Sequence, residues 1–226
     1  MAKRDTSKHG NDIGPSLTDV AYDAIQNMIV TGELEAHQLI SESELGRTLD
    51  CGRTPIREAL QRLKFEGFVD VMPRRGILVT AADVTGQLDL LEMRRPLEAL
   101  TVRLAARRAT SQQRARMREL ASEIEAAVAQ GDISLYLKIN KEIHTILTQS
   151  VKNRFLHNQM SVVHNLSRRF WYSFISSTDS FSLAAVHHAE TLRAVANKDE
   201  DLAEKHNRDL LNLLESVTRA KIENRD

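Results

Sequence analysis

Cysteine is nearly missing from this chain: Cys51 is the only one in 226 residues. A single thiol excludes an intrachain disulfide and fits a reducing cytoplasm. No apolar run approaches the roughly 20 residues that span a bilayer, and the N-terminus has no apolar stretch of the kind a secretory signal needs. An excess of one charge is also missing. The chain has 31 basic and 31 acidic residues, so a generic polyanion-binding tail is not expected. There is no HExxH, no Gly-rich phosphate loop and no CxxC. Nucleophile–base pairs and paired acids at a telling spacing are absent too, which argues against an enzyme. Breakers become scarce after residue 82: from Asp83 onward there is one proline, Pro96, and there are two glycines, Gly86 and Gly131.

What is present centres on Ser41 to Leu63, SESELGRTLDCGRTPIREALQRL. Ser41 with Glu44 makes a capping-box pattern that opens a short helix, and Leu45 and Leu49 share its inner face. Asp50-Cys51-Gly52 breaks that helix. Gly52 either caps the next one or takes a positive φ. Arg53-Thr54-Pro55 opens the second helix, where proline is tolerated because first-turn amides lack helical partners. Ile56, Ala59, Leu60 and Leu63 form its buried stripe. Arg53, Thr54 and Arg57 are left at the exposed N-terminal end, the end that a recognition helix presents to base edges. Glu66 to Val71 and Gly76 to Val79 then read as two short strands, joined by Met72-Pro73-Arg74-Arg75. Arg74 and Arg75 sit at the tip, placed to reach phosphates. Between Cys51 and Gly76 six basic residues face three acidic ones, a local bias within a neutral chain.

RTPIREALQRLKFEGFVDVMPRRGILV resembles the winged-helix domain of GntR-type bacterial transcription regulators. An upstream helix through Ile25 and Ile29, followed by Gly32-Glu33-Leu34 and Leu39-Ile40-Ser41-Glu42, fits the same pattern. The resemblance implies DNA contacts by Arg53, Thr54 and Arg57, with Ser41, Arg74 and Arg75 in the same DNA-binding set. It also implies that Gly76 lets the wing backbone approach DNA closely. One position departs from the family: Gly52 stands where Ser or Thr is usual, which weakens the cap.

The expected organisation has three parts: a disordered arm over 1–16, a winged-helix domain over 17–80 and a helical effector-binding and dimerisation domain over 81–226. Thr18 is expected to cap the first helix, from about Asp19 to Thr31. In the last part the periodicity is helical throughout. Pro96 is expected to break or kink the first of its helices. Six or seven helices without a strand predict an antiparallel bundle, so the fold class is mainly α. Glu92-Met93-Arg94-Arg95-Pro96-Leu97-Glu98, Asn140-x-x-x-His144 and His188 ahead of Leu192 resemble the all-helical (FCD-like) ligand-binding domain of the FadR-type branch.

Asn140 and His144 project side by side at i and i+4. His187 points about 100° away from His188. His206, between Leu202 and Leu210, is expected to face inward. Converging imidazoles with an oxygen ligand could hold Zn²⁺ or a similar divalent ion. The resemblance implies such a site, normally an Asp with three histidines; here the candidate ligands are Asn140, His144 and His188, with His206 one turn before the place of the third His. Two departures stand out: Asn140 replaces the Asp, and Leu210 occupies the place of the third His. The other readings are satisfied core histidines, or a pocket that takes an effector directly through Arg94, Asn140, His144 and His188. Arg94, Arg168 and Arg169 are candidates to grip an effector carboxylate, while Trp171 and Tyr172 could line the pocket but suit the core better.

The reading that follows is a ligand-responsive, cytoplasmic transcription regulator. It acts on double-stranded DNA as a homodimer, with a two-fold symmetric operator and a small anionic metabolite, a carboxylate by preference, as effector. The competing readings are a metal-dependent enzyme built on the bundle histidines and a constitutive architectural DNA binder.

Overall fold

A computed structural model describes residues 16–174 and 178–223. The expected arm lies outside the described residues except for Ser16. Two compact units meet between Ala81 and Ala82. No helix among the described residues is long and apolar enough to cross a membrane.

The first unit runs α1 (Leu17–Val30), β1 (Leu39–Ile40), α2 (Glu42–Thr48), α3 (Arg53–Phe65), β2 (Val69–Met72) and β3 (Gly76–Val79). Ser16, not Thr18, caps α1 by accepting the Asp19 amide, while the Thr18 hydroxyl donates to Glu58 on α3. Ser41 caps α2 by accepting the Glu44 amide at 3.1 Å. The chain then turns at Asp50, which takes a left-handed φ of 47°. Cys51 donates back to the Gly46 carbonyl at 2.9 Å, and a Cβ on Gly46 would lie 3.0 Å from the Cys51 carbonyl oxygen. Gly52 caps α3 with an ordinary φ of −64° and no side-chain bond, which settles its two sequence readings in favour of the cap. Ile25, Leu45, Ile56, Leu63 and Phe68 are buried together with Val79. Each large side chain of this kind contributes about 1.5–3 kcal/mol by leaving water.

The two expected strands gain a third. β1 is only two residues long, yet it completes an antiparallel sheet of order β1-β3-β2. Ile40 pairs with Ile77, and Val71 pairs with Ile77 from the other side.

The second unit is α4 (Val84–Arg108), α5 (Ser111–Ala129), α6 (Ile133–Ser150), α7 (Arg154–Phe174), α8 (Thr178–Ala196) and α9 (Glu200–Glu223). Pro96 does not divide α4, which is one helix of 25 residues. Proline forfeits a backbone bond and crowds the preceding turn, but Pro96 lies on the exposed side and the helix packs on α6, α7, α8 and α9. Thr110, rather than Ser111, caps α5 in a full capping box with Gln113. Leu91, Met117, Leu120, Ile124, Ile143, Met160 and Leu192 lie at the centre of one apolar core. Phe155 is 70% exposed at the start of α7.

The buried face of α4 is unusual. Val84, Gln87, Leu91, Arg94, Glu98, Thr101 and Ala105 recur at helical spacing and are all buried. Four of these seven are polar or charged. Since α4 touches four other helices, this polar stripe lies inside the bundle.

Candidate functional site

In the first unit, Arg53, Thr54 and Arg57 are exposed at the start of α3. Arg57 is 64% exposed, and its guanidinium lies across the Glu42 carboxylate on α2. Nε donates to Oε1 at 3.1 Å and Nη2 to Oε2 at 2.9 Å. The Arg57 hydrogen bonds outweigh desolvation and hold the Glu42 carboxyl below its ordinary range. Ser41 precedes Glu42 in the chain, so it joins this group, with its oxygen engaged as the α2 cap.

Arg74 and Arg75 are exposed at the turn between β2 and β3. Arg74 takes a left-handed φ of 64°, and the Arg75 amide closes the turn on the Met72 carbonyl at 3.0 Å. Gly76 has φ 113°, and a Cβ there would meet the Ile40 carbonyl oxygen at 2.8 Å. Glycine is therefore required for β3 to pair with β1, whatever it also permits toward DNA. Of the basic residues in this segment, Arg62 is used internally. It donates to Asp19 at 3.0 Å and lies over the Tyr22 ring at 3.9 Å.

The second site is a small cavity in the bundle, lined by both polar and apolar side chains. Arg94 from α4, Asn140 and His144 from α6, His164 and Ser167 from α7, and His188 from α8 line it. It adjoins a smaller space bounded by Glu98, Thr101 and Asn207. The space holds little more than a water-sized group. Arg94 donates through Nε to Glu98 Oε1 at 2.7 Å and through Nη1 to Ser167 Oγ at 2.8 Å. Gln87 also donates to Ser167 Oγ, at 3.0 Å. His164 donates its Nε2 proton to Glu98 Oε1 at 2.7 Å. The His144 ring stacks on His164, with centroids 3.7 Å apart, and meets His188 edge-on at 5.3 Å. Asn140 Nδ2 lies 2.9 Å from His188 Nε2, so with the amide oriented this way it donates to an unprotonated ring nitrogen.

Burial decides the protonation states here. It pushes the His144, His164 and His188 pKa values down, His188 to about 3, because an imidazolium would lose its hydration. Burial pushes the Glu98 carboxyl up, but Arg94 and the His164 hydrogen bond win and hold it at about 2. The cavity therefore contains neutral imidazoles beside a buried arginine–carboxylate pair whose side chains are 3% and 4% exposed.

Sequence reasoning brought Arg94, Asn140, His144 and His188 to one place, and the structure does the same. It does not bring His206 there. The inward stripe of α9 is Ala203, Asn207, Leu210, Leu211 and Leu214, and Leu202 is 39% exposed. His206 therefore sits one residue off the buried line, and Asn207 takes the inner position beside the cavity. Leu210 is buried, as a core residue. Glu98, His164 and Ser167 were missed. The signal for Glu98 was its i,i+4 spacing from Arg94, and for His164 its place on the buried line of α7.

The donor chemistry can be compared with what a divalent ion needs. Asn140 offers no charge, and its amide nitrogen already meets His188. Glu98, His144 and His164 each bring one ligand atom to within 4.8 Å of the others. Glu98 Oε2 is buried with no hydrogen-bond partner among the described residues. A carboxylate and two neutral imidazoles suit Zn²⁺ or a similar ion, so this set fits, whereas Asn140, His144, His188 and His206 do not assemble as one.

Residues 17–79 match the family described as bacterial regulatory proteins, gntR family, and residues 89–213 match the FCD domain. The chain is 32% identical to the Nta operon transcriptional regulator of Aminobacter aminovorans over 77% of its own length and 81% of that protein's. It is similar in fold to E. coli McbR/YncC, with TM-score 0.78 and 19% identity, covering 92% of this chain and 100% of that one. A putative transcriptional regulator GntR from Rhodococcus sp. RHA1 is also similar, with TM-score 0.72 and 20% identity, covering 91% and 99%.

Proposed function

We propose, from the premise that this chain belongs to the GntR family and is a transcription regulator with an FCD domain, that it binds a two-fold symmetric operator as a homodimer under the control of a small anionic metabolite. The observation that carries the reading is the division of labour between the units. One exposes Arg53, Thr54 and Arg57 at a helix start and Arg74 and Arg75 on a wing. The other encloses Arg94, Asn140, His144 and His188 around a small cavity. The Aminobacter aminovorans relative is a transcriptional regulator.

Arg53, Thr54 and Arg57 are the base-reading set, with Ser41 beside them. Arg74 and Arg75 serve the phosphate backbone, and Gly76 shapes the wing. A single winged helix reads too few base pairs for genomic selectivity, which is the argument for a dimer. α4 supplies a surface for it: Met93 and Leu100 are 45% and 46% exposed, with half-buried Leu97 and Leu104 completing the same stripe. The protein acts where the DNA is, in the cytoplasm.

The effector is a carboxylate or similar anion drawn by Arg94 and the arginines of α7. Because the cavity is nearly filled, a metabolite enters only if the helices part, and that movement is the switch. Its extent is limited by the effector's differential affinity for the two arrangements. A divalent ion, where bound, would be held by Glu98, His144 and His164, and would supply an open coordination position for the anion. An architectural binder would lack this response, so ligand-induced stabilisation separates the two readings.

The test is operator selection from random duplexes, followed by light scattering of the free protein and a thermal-shift screen of small carboxylates. A symmetric consensus, a dimer mass and at least one stabilising anion that alters DNA binding are expected. A monomer that binds a single half-site tightly, or a His144→Ala, His188→Ala double variant with an unchanged effector response, overturns the reading.

A further inference from the structure

A second group of metal-type ligands lies away from the cavity, between α8 and α9. His187 is on α8; His206 and Asp209 are on α9. His206 and Asp209 stand at i and i+3, so they share one face of their helix. One ligand atom from each of the three residues lies within 4.8 Å of the others. All three are partly buried. His187 Nδ1 is out of contact with solvent and has no hydrogen-bond partner among the described residues. A ring nitrogen in that condition has been stripped of water without compensation. A carboxylate sits close enough to supply charge.

We propose that His187, His206 and Asp209 bind a divalent transition-metal ion that clamps α8 to α9. Two imidazoles and one carboxylate select Zn²⁺, Ni²⁺, Co²⁺ or Cu²⁺ over Mg²⁺ and Ca²⁺, which prefer all-oxygen shells. Ligands on such an ion are about 2.0–2.2 Å from it, which puts them about 3.3 Å from one another. Rotamer adjustment of these partly exposed side chains closes the remaining gap. Asp209 brings one negative charge, so the occupied site carries one net positive charge and keeps coordination positions for water.

The site would also bear on the cavity. His188 follows His187 on α8 and faces inward, while Asn207 follows His206 on α9 and reaches the adjoining space. An ion on the outer side therefore fixes the spacing of two helices whose inner sides carry cavity residues. This inference stands apart from the effector proposal, because it uses none of the residues assigned to the cavity except through the helices they share.

The experiment is a Zn²⁺ titration of the chelator-stripped full-length protein, with stoichiometry by elemental analysis and melting temperature followed in parallel. The same titration is run on His206→Ala and Asp209→Asn, both at partly exposed positions, and on His144→Ala as the cavity control. The expected result is that His206→Ala and Asp209→Asn each bind one equivalent fewer than the parent and lose the corresponding rise in melting temperature, and that each still removes one equivalent when introduced into the His144→Ala background, whatever His144→Ala itself loses at the cavity. If His206→Ala and Asp209→Asn retain the parent's stoichiometry and affinity, the site does not exist. The site is equally excluded if the parent binds no Zn²⁺, or if His144→Ala alone abolishes all binding.

Discussion

The guanidinium of Arg57 and the carboxylate of Glu42 form a two-bond pair across the helix-turn-helix, at 3.1 and 2.9 Å. The residue proposed to read a base is thus held in place before DNA arrives, by an acid from the neighbouring helix. Arg57→Ala should weaken operator binding roughly ten- to hundred-fold while leaving non-operator DNA almost unaffected, since a bidentate contact to guanine discriminates on that scale. Glu42→Gln should tighten binding to every duplex and narrow the gap between operator and non-operator DNA. Arg74→Ala should weaken both and flatten the salt dependence. Anisotropy titrations at two salt concentrations read all three. Wild-type behaviour of Arg57→Ala would remove α3 from the proposed interface.

Arg94 and Glu98 test how the bundle tolerates charge. The pair is buried, and Glu98 Oε1 takes hydrogen bonds from both Arg94 and His164. Removing one partner of a buried pair leaves an uncompensated charge and costs about 3–5 kcal/mol. Arg94→Met should therefore lower the urea midpoint of the bundle far more than Arg94→Met combined with Glu98→Gln. The order of the two midpoints is the check. Equal values would mean that the pair is solvated in solution.

Acid should loosen the bundle in two stages. The histidines of the cavity have folded pKa values pushed below the ordinary 6.5, His188 to about 3. Between those limits the unfolded chain binds more protons than the folded one, so stability falls as pH drops below 6.5. Glu98 is depressed from 4.5 to about 2. Its contribution is complete above pH 4.5 and is lost as pH falls toward 2. Each group contributes at most about 1.4 kcal/mol per pH unit. Urea midpoints at pH 7.5, 6 and 4.5 should decline steadily, and His188→Gln should shrink the decline. A flat profile would show these rings to be hydrated.

The winged helix was legible because its determinants are local. Ser41, Asp50, Gly52 and Pro55 punctuate two short helices, and Gly76 marks a strand that must pass close to Ile40. β1 was not legible, since two residues, Leu39 and Ile40, carry no period of their own. The bundle could be read as helices but its interior could not. Pattern reading alone would assign apolar positions to the core, yet Met93 and Phe155 are exposed. Glu98 shows the opposite error: at i,i+4 from Arg94 it reads as half of an ordinary surface pair, and only the meeting of α4 with four other helices buries it beside Arg94, which the sequence did offer as a pocket residue. His206 misled for a related reason. Leu202 suggested an inward stripe that the fold moves by one residue, to Ala203 and Asn207.

Asn140 poses the sharpest question about the cavity. Its amide meets His188 at 2.9 Å, which ties up the ring nitrogen that a metal would need and leaves the Asn140 position without charge. Asn140→Asp changes both conditions at once. A carboxylate cannot donate to an unprotonated ring nitrogen, so the pair must reorganise, and the new negative charge sits beside His144 and His188. In a His206→Ala background, which removes the outer candidate site, Asn140→Asp should raise Zn²⁺ affinity by at least an order of magnitude in competition with a chromophoric chelator. The same change should weaken binding of an anionic effector, because the added charge opposes it in a water-poor space where Coulomb interactions are strong. By linkage, any operator-dependent change in effector affinity must be matched by an equal effector-dependent change in operator affinity, in the variant as in the parent. Unchanged Zn²⁺ affinity in Asn140→Asp would show that this position lies outside the coordination sphere and leave Glu98, His144 and His164 as the cavity's metal-binding set.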